Sequence, residues 1–421
     1  MIDITDRERC CGCEACVQRC PRRCITLYED DEGFLYPQVD EGKCIDCGLC
    51  EKVCPVVLQG AGRRPLKVYA AKNPDEEIRR ESSSGGVFTL LAEKILSEGG
   101  VVFGARFDAC WEVVHDYTEN VEELSAFRGS KYVQSRIGDS FRQTECFLKT
   151  GRKVLFSGTP CQIAGLKLFL KKEYDNLLTV DFICHGVPSP GVWRKYLKEI
   201  AARRVAGKNS VLRASLNKSD DVLRNISSIS FRDKVLGWKK YSFVVCFSAT
   251  DGAEKNTVLL SEDLYTNLFL RGFLADLYLR PSCYACPAKD LKSGSDLTIG
   301  DFWGVEYILP QMDDGQGTSI VMGNNLKGQN ICNSLNCDLL EVAYKQVVKG
   351  NNAVANSCVK PLQRTIFFDQ YESAVLSDLI FQLTRLGCKQ RLRRFIKNIL
   401  LRSDLLIKIK RYANRNSHFD R

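Results

Sequence analysis

Two runs of four cysteines near the N-terminus constrain this 421-residue chain more than any other feature of its sequence. Each run has the spacing C-x2-C-x2-C-x3-C and is followed by proline, which is the bacterial spacing for iron–sulfur ligation. In this spacing three cysteines of a run hold one cluster and the fourth reaches across to the other, so the sequence predicts two interleaved [4Fe–4S] sites. The predicted ligand sets are Cys10, Cys13, Cys16 and Cys54 for one cluster, and Cys44, Cys47, Cys50 and Cys20 for the other.

Zinc is the alternative metal for these cysteines. Tetrahedral zinc usually binds two separated C-x2-C pairs, which disfavours zinc for a C-x2-C-x2-C run. Short segments at 25–28 and 34–36 read as strands between the two runs. With these strands, residues 1–60 resemble a dicluster ferredoxin. Cys11 and Cys24 lie outside the ligand pattern and are expected to be small buried residues.

The bulk composition is that of a globular protein, with 44% hydrophobic and 26% charged residues. The sequence contains no run of 18 apolar residues, so no transmembrane helix is predicted. The acidic residues 1–6 do not resemble a signal peptide, and a cytoplasmic location is therefore expected. In a reducing compartment the 21 cysteines are better explained by metal ligation than by disulfides.

Four cysteines farther along the chain form a third candidate metal site. Cys161 and Cys184 each follow a predicted strand, and the β-α-β spacing between them implies neighbouring parallel strands. The carboxyl ends of such strands are where α/β sheets bind ligands. Cys283 and Cys286 supply a C-x2-C pair. A third [4Fe–4S] cluster on these four cysteines is the main hypothesis, and an all-cysteine zinc site or a redox disulfide are the alternatives.

A Ser-Ser-Gly-Gly segment, Ser83 to Gly86, precedes a predicted helix that begins at Val87. Free N–H groups and the helix dipole at such an N-terminus favour phosphate binding, although serine is also an ordinary N-cap residue. The sequence contains neither G-x-G-x-x-G nor a P-loop, so a standard dinucleotide-binding domain is not predicted. Because clusters pass single electrons and most organic reductions need two, a flavin-type cofactor is expected downstream.

Five segments of the chain carry a family resemblance. They are Ser-Ser-Gly-Gly at 83–86, Gly-Thr-Pro-Cys-Gln at 158–162, Cys-His-Gly-Val-Pro-Ser at 184–189, Cys-Tyr-Ala-Cys at 283–286 and Gly-Asp-Phe-Trp-Gly at 300–304. In this order, over residues 66–345, they resemble the family of coenzyme F(420) hydrogenase/dehydrogenase beta subunits. The resemblance implies an FAD-binding α/β core with its own [4Fe–4S] cluster. It also implies that relatives with a fused ferredoxin domain occur in bacteria, where their genes often lie beside polysaccharide genes.

The resemblance assigns roles to individual residues. The residues that would contact flavin or its phosphates are Ser83, Ser84, Gly85, Gly86, Gly158, Thr159 and Asp301. Lys131 would bring positive charge to the pyrophosphate or the reduced flavin, and a solvated surface lysine is the alternative. His185, one of three histidines, follows Cys184 and is a candidate proton donor, or it only orients its loop.

The C-terminal residues 381–421 form a basic tail with twelve Lys and Arg and two Asp, whereas the other 380 residues are nearly neutral overall. This distribution argues against a nucleic-acid partner for the body of the protein. Apolar residues recur in the tail at helical spacing, at Leu392, Phe395, Ile396, Ile399 and Leu400. Three roles are open for this amphipathic basic helix: contact with the inner membrane surface, docking of an acidic partner such as a ferredoxin, or packing on the body.

The sequence therefore predicts an α+β and α/β protein. Its expected parts are a dicluster ferredoxin domain at 1–60, a flavin and iron–sulfur core at 66–200 and 201–345, and a helical region at 346–421. A hairpin of 227–231 and 241–245 is expected to contact substrate.

The predicted function is that of an FAD-dependent iron–sulfur oxidoreductase. It would carry electrons from a redox partner, such as a ferredoxin, to an organic substrate such as a polysaccharide precursor. The alternatives are an electron-transfer beta subunit that reduces a deazaflavin coenzyme, and an electron carrier without substrate. The chain's own ferredoxin domain favours the oxidoreductase over both alternatives, because a protein that carries its own electron-accepting domain needs a partner less.

Overall fold

The computed structural model describes residues 1–207, 223, 225–251 and 254–385. The strands are β1 Ile25–Glu29, β2 Leu35–Val39, β3 Lys67–Lys72, β4 Val101–Phe107, β5 Val113–Thr118, β6 Val154–Gly158, β7 Leu177–Phe182, β8 Ile226–Asp233, β9 Ser242–Asp251, β10 Glu254–Asp263, β11 Leu297–Asp301, β12 Ser319–Gly323 and β13 Asp338–Glu341. The α-helices are α1 Ala15–Arg19, α2 Glu76–Glu81, α3 Val87–Ser97, α4 Leu124–Phe127, α5 Ser140–Lys149, α6 Pro160–Leu170, α7 Pro190–Gly207, α8 Leu268–Leu274, α9 Val305–Ile308, α10 Leu326–Asn333, α11 Tyr344–Gly350, α12 Gln363–Tyr371 and α13 Leu376–Leu383.

An eight-stranded mixed sheet forms the centre of the body, which we define as residues 66–385. Its strand order is β13-β3-β12-β11-β7-β6-β4-β5. The middle strands β11, β7, β6 and β4 run parallel, and the flanking strands pair antiparallel. Both faces of the parallel strands are covered, which explains why β6 and β7 are almost continuously buried. The predicted neighbouring parallel strands before Cys161 and Cys184 are confirmed.

A smaller antiparallel sheet of β8, β9 and β10 packs beside the central sheet. The predicted hairpin is confirmed, because Ile229 pairs with Val245 in the ladder of β8 and β9. Aromatic side chains from β8, β9 and α7 meet in its core, where the Trp193 ring lies 5.0 Å from Phe231. This sheet brings Arg232 and Lys234 against the end of β11 and the Ser83–Gly86 loop.

The N-terminal ferredoxin module, residues 1–60, contains the antiparallel pair β1 and β2 and the short helix α1. The strands that the sequence predicts at 25–28 and 34–36 are thus confirmed in slightly shifted positions. Asp30 closes their turn, because its Oδ1 accepts the Phe34 N–H at 2.8 Å.

Side chains of α1 dock the module on the first turn of α5. Glu14 Oε1 and Oε2 accept the N–H groups of Ile137 and Gly138 at 2.8 and 3.0 Å. Gln18 Oε1 accepts the N–H groups of Phe141 and Arg142 at 3.1 and 3.2 Å. These acceptors satisfy donors that a helix N-terminus leaves without partners, and we call this junction the module–body interface.

The predicted basic helix of the tail, residues 391–400, lies outside the described residues. Within the described ranges, the structure contains no helix with both the length and the apolar character needed to cross a membrane.

Candidate metal and cofactor sites

A cavity in the module is lined by the first predicted ligand set. Its cysteines are Cys10, Cys13, Cys16 and Cys54, together with Cys11. Cys54 comes from the second run and reaches the cysteines of the first run, as the crossed assignment predicts. We call this cavity the near site, because its Cys13 and Cys10 also touch the body.

A second cavity is lined by the other predicted set. Its cysteines are Cys20, Cys44, Cys47 and Cys50, together with Cys24. Cys47 is exposed, and backbone N–H groups of Ile2 and Asp46 point at the sulfurs of Cys50 and Cys44 at 3.3 and 3.4 Å. We call this cavity the far site. Cys11 and Cys24 are buried beside the two sets, at 5% and 4% exposure, as the sequence predicts.

The chemistry of these cavities fits thiolate-ligated metal. Burial, followed by repulsion from the neighbouring thiol of Cys10, raises the pKa of Cys16. The same two causes raise the pKa of Cys54. Metal ions bind thiolates, so a buried set of four converging sulfurs is stabilised when iron displaces its protons. Soft sulfur donors select iron–sulfur clusters or zinc over hard cations.

The four cysteines of the third predicted set meet at one edge of the central sheet. Cys161 lies in the first turn of α6, just after β6, and Cys184 follows β7. Cys283 lies on a 3-10 helix, Pro281–Ala285, which Cys286 ends. Burial is the main reason that the pKa values of Cys184 and Cys286 rise, to about 12 and about 11, and neighbouring thiols of the set raise them further. The set therefore has the same donor chemistry as the two module sites.

Cys11 connects the near site to the third set. Its thiol lies against the thiols of both Cys13 and Cys161. Gly165 on α6 permits this approach, because a Cβ at this position would lie 3.0 Å from the Cys13 sulfur. Sequence reasoning treated Cys11 only as a small buried residue, since nothing in its spacing reveals a contact 150 residues away.

Cys358 is a neighbour of the third set that sequence reasoning missed. Its Sγ donates to the carbonyl oxygen of His185 at 2.5 Å, and its thiol contributes to the raised pKa of Cys184. His185 itself is paired with Asp276, with Nε2 and Oδ1 2.6 Å apart. That hydrogen bond, followed by one to Cys358, raises the pKa of His185 to about 9. The structure thus ties the predicted proton donor into the loop around the third set.

The Ser83–Gly86 loop lies between β3, β12 and the segment that contains Lys131. Ser83 Oγ accepts the Ser130 N–H at 2.6 Å, and Ser84 Oγ donates to Thr318 O at 2.9 Å. Gly86 is the N-cap of α3, and no side chain of the described residues caps this helix. In the described part of the chain, the N-terminus of α3 thus has no capping side chain, as a bound phosphate would require.

Lys131 is held by backbone carbonyls at the C-terminal end of α4. Its Nζ donates to Ala126 O at 2.9 Å and to Arg128 O at 3.0 Å, and burial lowers its pKa to about 7. Sequence reasoning missed His115. Burial is the main cause that lowers the pKa of His115 to about 4, and the charge of Lys131 lowers it further. His115 Nε2 lies 3.0 Å from Ser157 O, and Nδ1 has no hydrogen-bond partner among the described residues.

Four buried cations surround the Ser83–Gly86 loop, and three carboxylates face them. The cations are Lys72, Arg79, Arg232 and Lys234, which are between 5% and 8% exposed, and the carboxylates are Asp301, Asp314 and the largely exposed Asp338, which lies 4.0 Å from Lys72. Arg232 Nη1 pairs with Asp301 Oδ2 at 2.5 Å, whereas Arg232 Nε and Nη2 have no partner in the described part of the chain. Lys234 Nζ donates to Ser84 O at 2.7 Å. An excess of buried positive charge fits an anionic ligand.

Aromatic rings flank this group of cations. Trp238 and Trp303 stack with centroids 4.8 Å apart and planes 3° from parallel, and Trp238 Nε1 donates to Asp301 Oδ1 at 3.1 Å. The Arg232 guanidinium lies 4.5 Å from the Tyr241 ring centroid. We call these cations, carboxylates and rings, with the Ser83–Gly86 loop, the cation–aromatic site. Asp301, which the resemblance assigns to the cofactor, belongs to this site through its contacts with Arg232 and Trp238.

The other two predicted cofactor residues lie nearer the third set. Thr159 is the N-cap of α6, forms a capping box with Gln162, and has its Oγ1 3.2 Å from the Cys161 sulfur. A Cβ on Gly158 would lie 3.4 Å from His115 Nε2. Gly158 therefore lies beside His115, and the charge of Lys131 acts on the same histidine.

Three family models match the chain. Two of them describe the coenzyme F(420) hydrogenase/dehydrogenase beta subunit: the model for its N-terminal part matches residues 68–140, and the model for its C terminus matches residues 151–345. A 4Fe-4S dicluster domain model matches residues 9–57.

Individual relatives are similar over parts of the chain. A coenzyme F(420)-dependent sulfite reductase from Methanocaldococcus jannaschii is 31% identical over 39% of this chain and 26% of its own length. A subunit of the F(420)H(2) dehydrogenase from Methanosarcina mazei is 25% identical over 44% of this chain and 55% of its own length. The chain thus spans about a quarter and just over half of the lengths of these two relatives.

Among solved structures, a chain of the xenon-derivatised F(420)-reducing [NiFe] hydrogenase complex from Methanosarcina barkeri is similar to this chain. It is 15% identical, with a TM-score of 0.42 over 80% of this chain and 92% of that one.

Proposed function

The chain belongs to the family of coenzyme F(420) hydrogenase/dehydrogenase beta subunits, and from this premise we propose that it exchanges electrons between iron–sulfur clusters and a deazaflavin or flavin ring. The oxidoreductase class and the 4Fe–4S dicluster domain follow from the family matches. The proposal adds the residues that carry the electrons and the class of cofactor that takes them.

The proposed route begins at the far site, where exposed Cys47 gives a redox partner access. It continues through the near site to the third set, because the Cys11 thiol contacts Cys13 on one side and Cys161 on the other. When bound, [4Fe–4S] clusters supply one-electron transfer along this order. The chain's own residues hold the three sets at fixed positions. Three near-site cysteines, Cys13, Cys16 and Cys54, are buried, and the four cysteines of the third set are partly buried.

The proposed end of the route is the cation–aromatic site. The observation that carries this proposal is the environment of Arg232, which is 5% exposed and lies beside the stacked pair Trp238 and Trp303. Two of its nitrogen atoms have no hydrogen-bond partner among the described residues. An anionic group would satisfy the arginine, and a flat ring would suit the aromatic surface. Both FAD and a deazaflavin coenzyme combine a ring system with phosphate. We propose the deazaflavin first, because the matched relatives are named for coenzyme F(420).

Equilibrium binding to the anaerobically purified full chain tests this proposal. Arg232→Gln removes the charge that faces the ligand, and we expect at least a tenfold loss of affinity for coenzyme F(420), followed by its fluorescence. The partly exposed Arg152, which pairs with Glu119, provides the control Arg152→Gln, for which we expect unchanged affinity. Unchanged affinity in Arg232→Gln would show that the ring binds elsewhere.

The same preparations distinguish the two ring classes. Tightly bound FAD, released by denaturing the purified protein, would assign the site to FAD. In that case the fluorescence titration would show no binding of coenzyme F(420) at this site. Absence of FAD with saturable coenzyme F(420) binding would assign the site to the deazaflavin. Absence of both, with iron present, would favour an electron carrier without a ring cofactor.

A further inference from the structure

Arg280 lies between the near site and the third set, three residues before Cys283. Its side chain comes from the body, and residue Arg280 is 1% exposed. Nε donates to Cys10 O at 2.7 Å, and Nη2 donates to Leu35 O at 2.9 Å and to Cys10 Sγ at 3.5 Å. Nη1 donates to Gln134 Oε1 at 2.9 Å. The guanidinium thus bonds both the backbone and the sulfur of a predicted cluster ligand.

The surroundings of Arg280 are built to hold a cation. The guanidinium carbon lies 4.3 Å from the centroid of the Tyr36 ring and 5.3 Å from that of Phe34. Gly12 leaves room for it, because a Cβ at this position would lie 2.8 Å from Arg280 Nη1 and 2.4 Å from Gln134 Nε2. The φ of +68° at Gly12 also favours glycine.

No carboxylate balances this charge at ion-pair distance in the described part of the chain. Other deeply buried arginines do have such partners: Arg232 pairs with Asp301, and Arg364 pairs with Glu32. Glu14 lies within electrostatic range of Arg280, but its two oxygens accept the backbone N–H groups of Ile137 and Gly138, just before α5. A buried cation without a counter-ion is strongly unfavourable. The anionic partner that remains is the sulfur set of the near site.

We infer that Arg280 raises the reduction potential of the cluster at the near site above that of the far site. Reduction brings one electron from the reductant and makes or breaks no bond, so the sulfurs that face Arg280 become more negative. A fixed cation stabilises that added charge, and net charge and hydrogen bonds to sulfur are the factors that set such potentials. At the far site the hydrogen bonds to Cys50 and Cys44 come from neutral backbone N–H groups. The inference rests on the proposed near-site cluster and is independent of which ring the body binds.

A redox titration with dithionite, followed by electron paramagnetic resonance, tests this role in the full chain loaded with iron. In Arg280→Gln we expect the midpoint of one module cluster to move to a more negative potential while the other midpoints stay constant. Arg280→Lys keeps the charge and should shift that midpoint less. Unchanged midpoints in an iron-loaded Arg280→Gln protein would overturn the inference.

Arg364 provides the matched control. It is also buried, and it also joins the module to the body, since Nη1 donates to Glu32 Oε1 at 2.8 Å. No cysteine is among its hydrogen-bond partners in the described residues. Arg364→Gln should therefore leave every midpoint unchanged. Equal shifts in both variants would mean that loosening the junction causes the effect, and the assignment to Arg280 would be wrong.

Gln134→Glu keeps the test decisive if Arg280→Gln does not fold. This near-isosteric change places a carboxylate on Arg280 Nη1 and offsets its charge, so the same midpoint should again become more negative. An unchanged midpoint would overturn the inference. Iron analysis separates this result from failure of the proposed function: wild-type protein that takes up no iron in the module would refute the near-site cluster itself.

Discussion

The interiors of the ferredoxin module and of the body differ in what fills them. The buried cluster at the centre of the module consists of five cysteines and two isoleucines: Cys16, Cys20, Cys24, Cys50, Cys54, Ile2 and Ile25. The body instead buries aliphatic and aromatic side chains on both faces of its sheet, such as Leu91, Val102 and Leu155 on one face. A domain of this small size with a thiol interior has little apolar surface to bury, so metal binding must supply much of its folding free energy.

Removal of iron should therefore separate the two regions most clearly. In protein prepared without iron, we expect residues 1–60 to lose their protection from hydrogen exchange, because the module has few apolar side chains to replace the clusters. The central sheet, for example β6 and β7, should keep its protection. Hydrogen exchange read by mass spectrometry measures both regions in one sample. If residues 1–60 kept their protection from hydrogen exchange without iron, the expected difference between module and body would be wrong.

Loss of one cysteine of the third set should have a smaller, localised effect. We expect Cys184→Ala to lower the iron content from about twelve to about eight atoms per chain, since three clusters of four irons become two. The module should retain its clusters, because its ligands are local in sequence. Cys358→Ala is the matched control, as Cys358 adjoins the set without belonging to it. If Cys358→Ala lost as much iron as Cys184→Ala, the assigned ligand set would be wrong. Zinc in the wild-type protein would show that the third set binds zinc instead of an iron–sulfur cluster.

The module–body interface should contribute a few kcal/mol. Glu14→Gln replaces one of the two buried acceptor oxygens by an NH2 group, which cannot accept, so one backbone N–H loses its partner. We expect a loss of about 2 kcal/mol in the free energy of unfolding. Anaerobic denaturant titration of iron-loaded protein measures the change. Glu8 also bridges module and body, through Lys360, but in an exposed pair. Glu8→Gln should cost less than about 0.5 kcal/mol, and an equal cost would show that burial is not the deciding factor.

The body should show a small pH dependence that does not involve metal. Burial raises the pKa of Asp181 to about 6, although Ser293 and Thr298 each donate to it at 2.5 Å. The folded state therefore binds the proton more tightly than the unfolded state, and stability is lost as the pH rises from about 4 through about 6. Relative to Asp181→Asn, the wild type should lose about 1 kcal/mol between about pH 5 and pH 7. Parallel stability curves for the two proteins would show that Asp181 does not titrate in this range.

The two regions were also unequally predictable. The cysteine sets of the module and its two strands follow from local spacing, because ligands three or four residues apart need little more than a turn to converge. The parallel strands before Cys161 and Cys184 follow from a β-α-β pattern and a rule of topology. Asp301, which was assigned by family resemblance, does lie with the Ser83–Gly86 loop in the cation–aromatic site.

What sequence reasoning missed depends on contacts between distant segments. Arg280 meets Cys10 across 270 residues, and Arg232 meets Asp301 across 69. Neither arginine lies in a motif, and a single sequence does not show which of its many charged residues become buried. Cys11 illustrates the same limit, since its burial was predicted but its position between two cysteine sets was not.

The junction of module and body has a consequence for how electrons must move. At Gly33 a Cβ would lie 2.5 Å from the Cα of Gly191, so the two backbones touch there. Arg63, which lies between the module and the body in sequence, donates to Leu291 O and Ser295 O. With Glu14 and Gln18 on α5, these contacts fix the module at several separate points. Many electron-transfer proteins move a tethered domain between donor and acceptor, which makes their turnover sensitive to solvent viscosity. In this molecule the near site and the third set are held together at rest, so the proposed passage of electrons between them requires no swing of a domain.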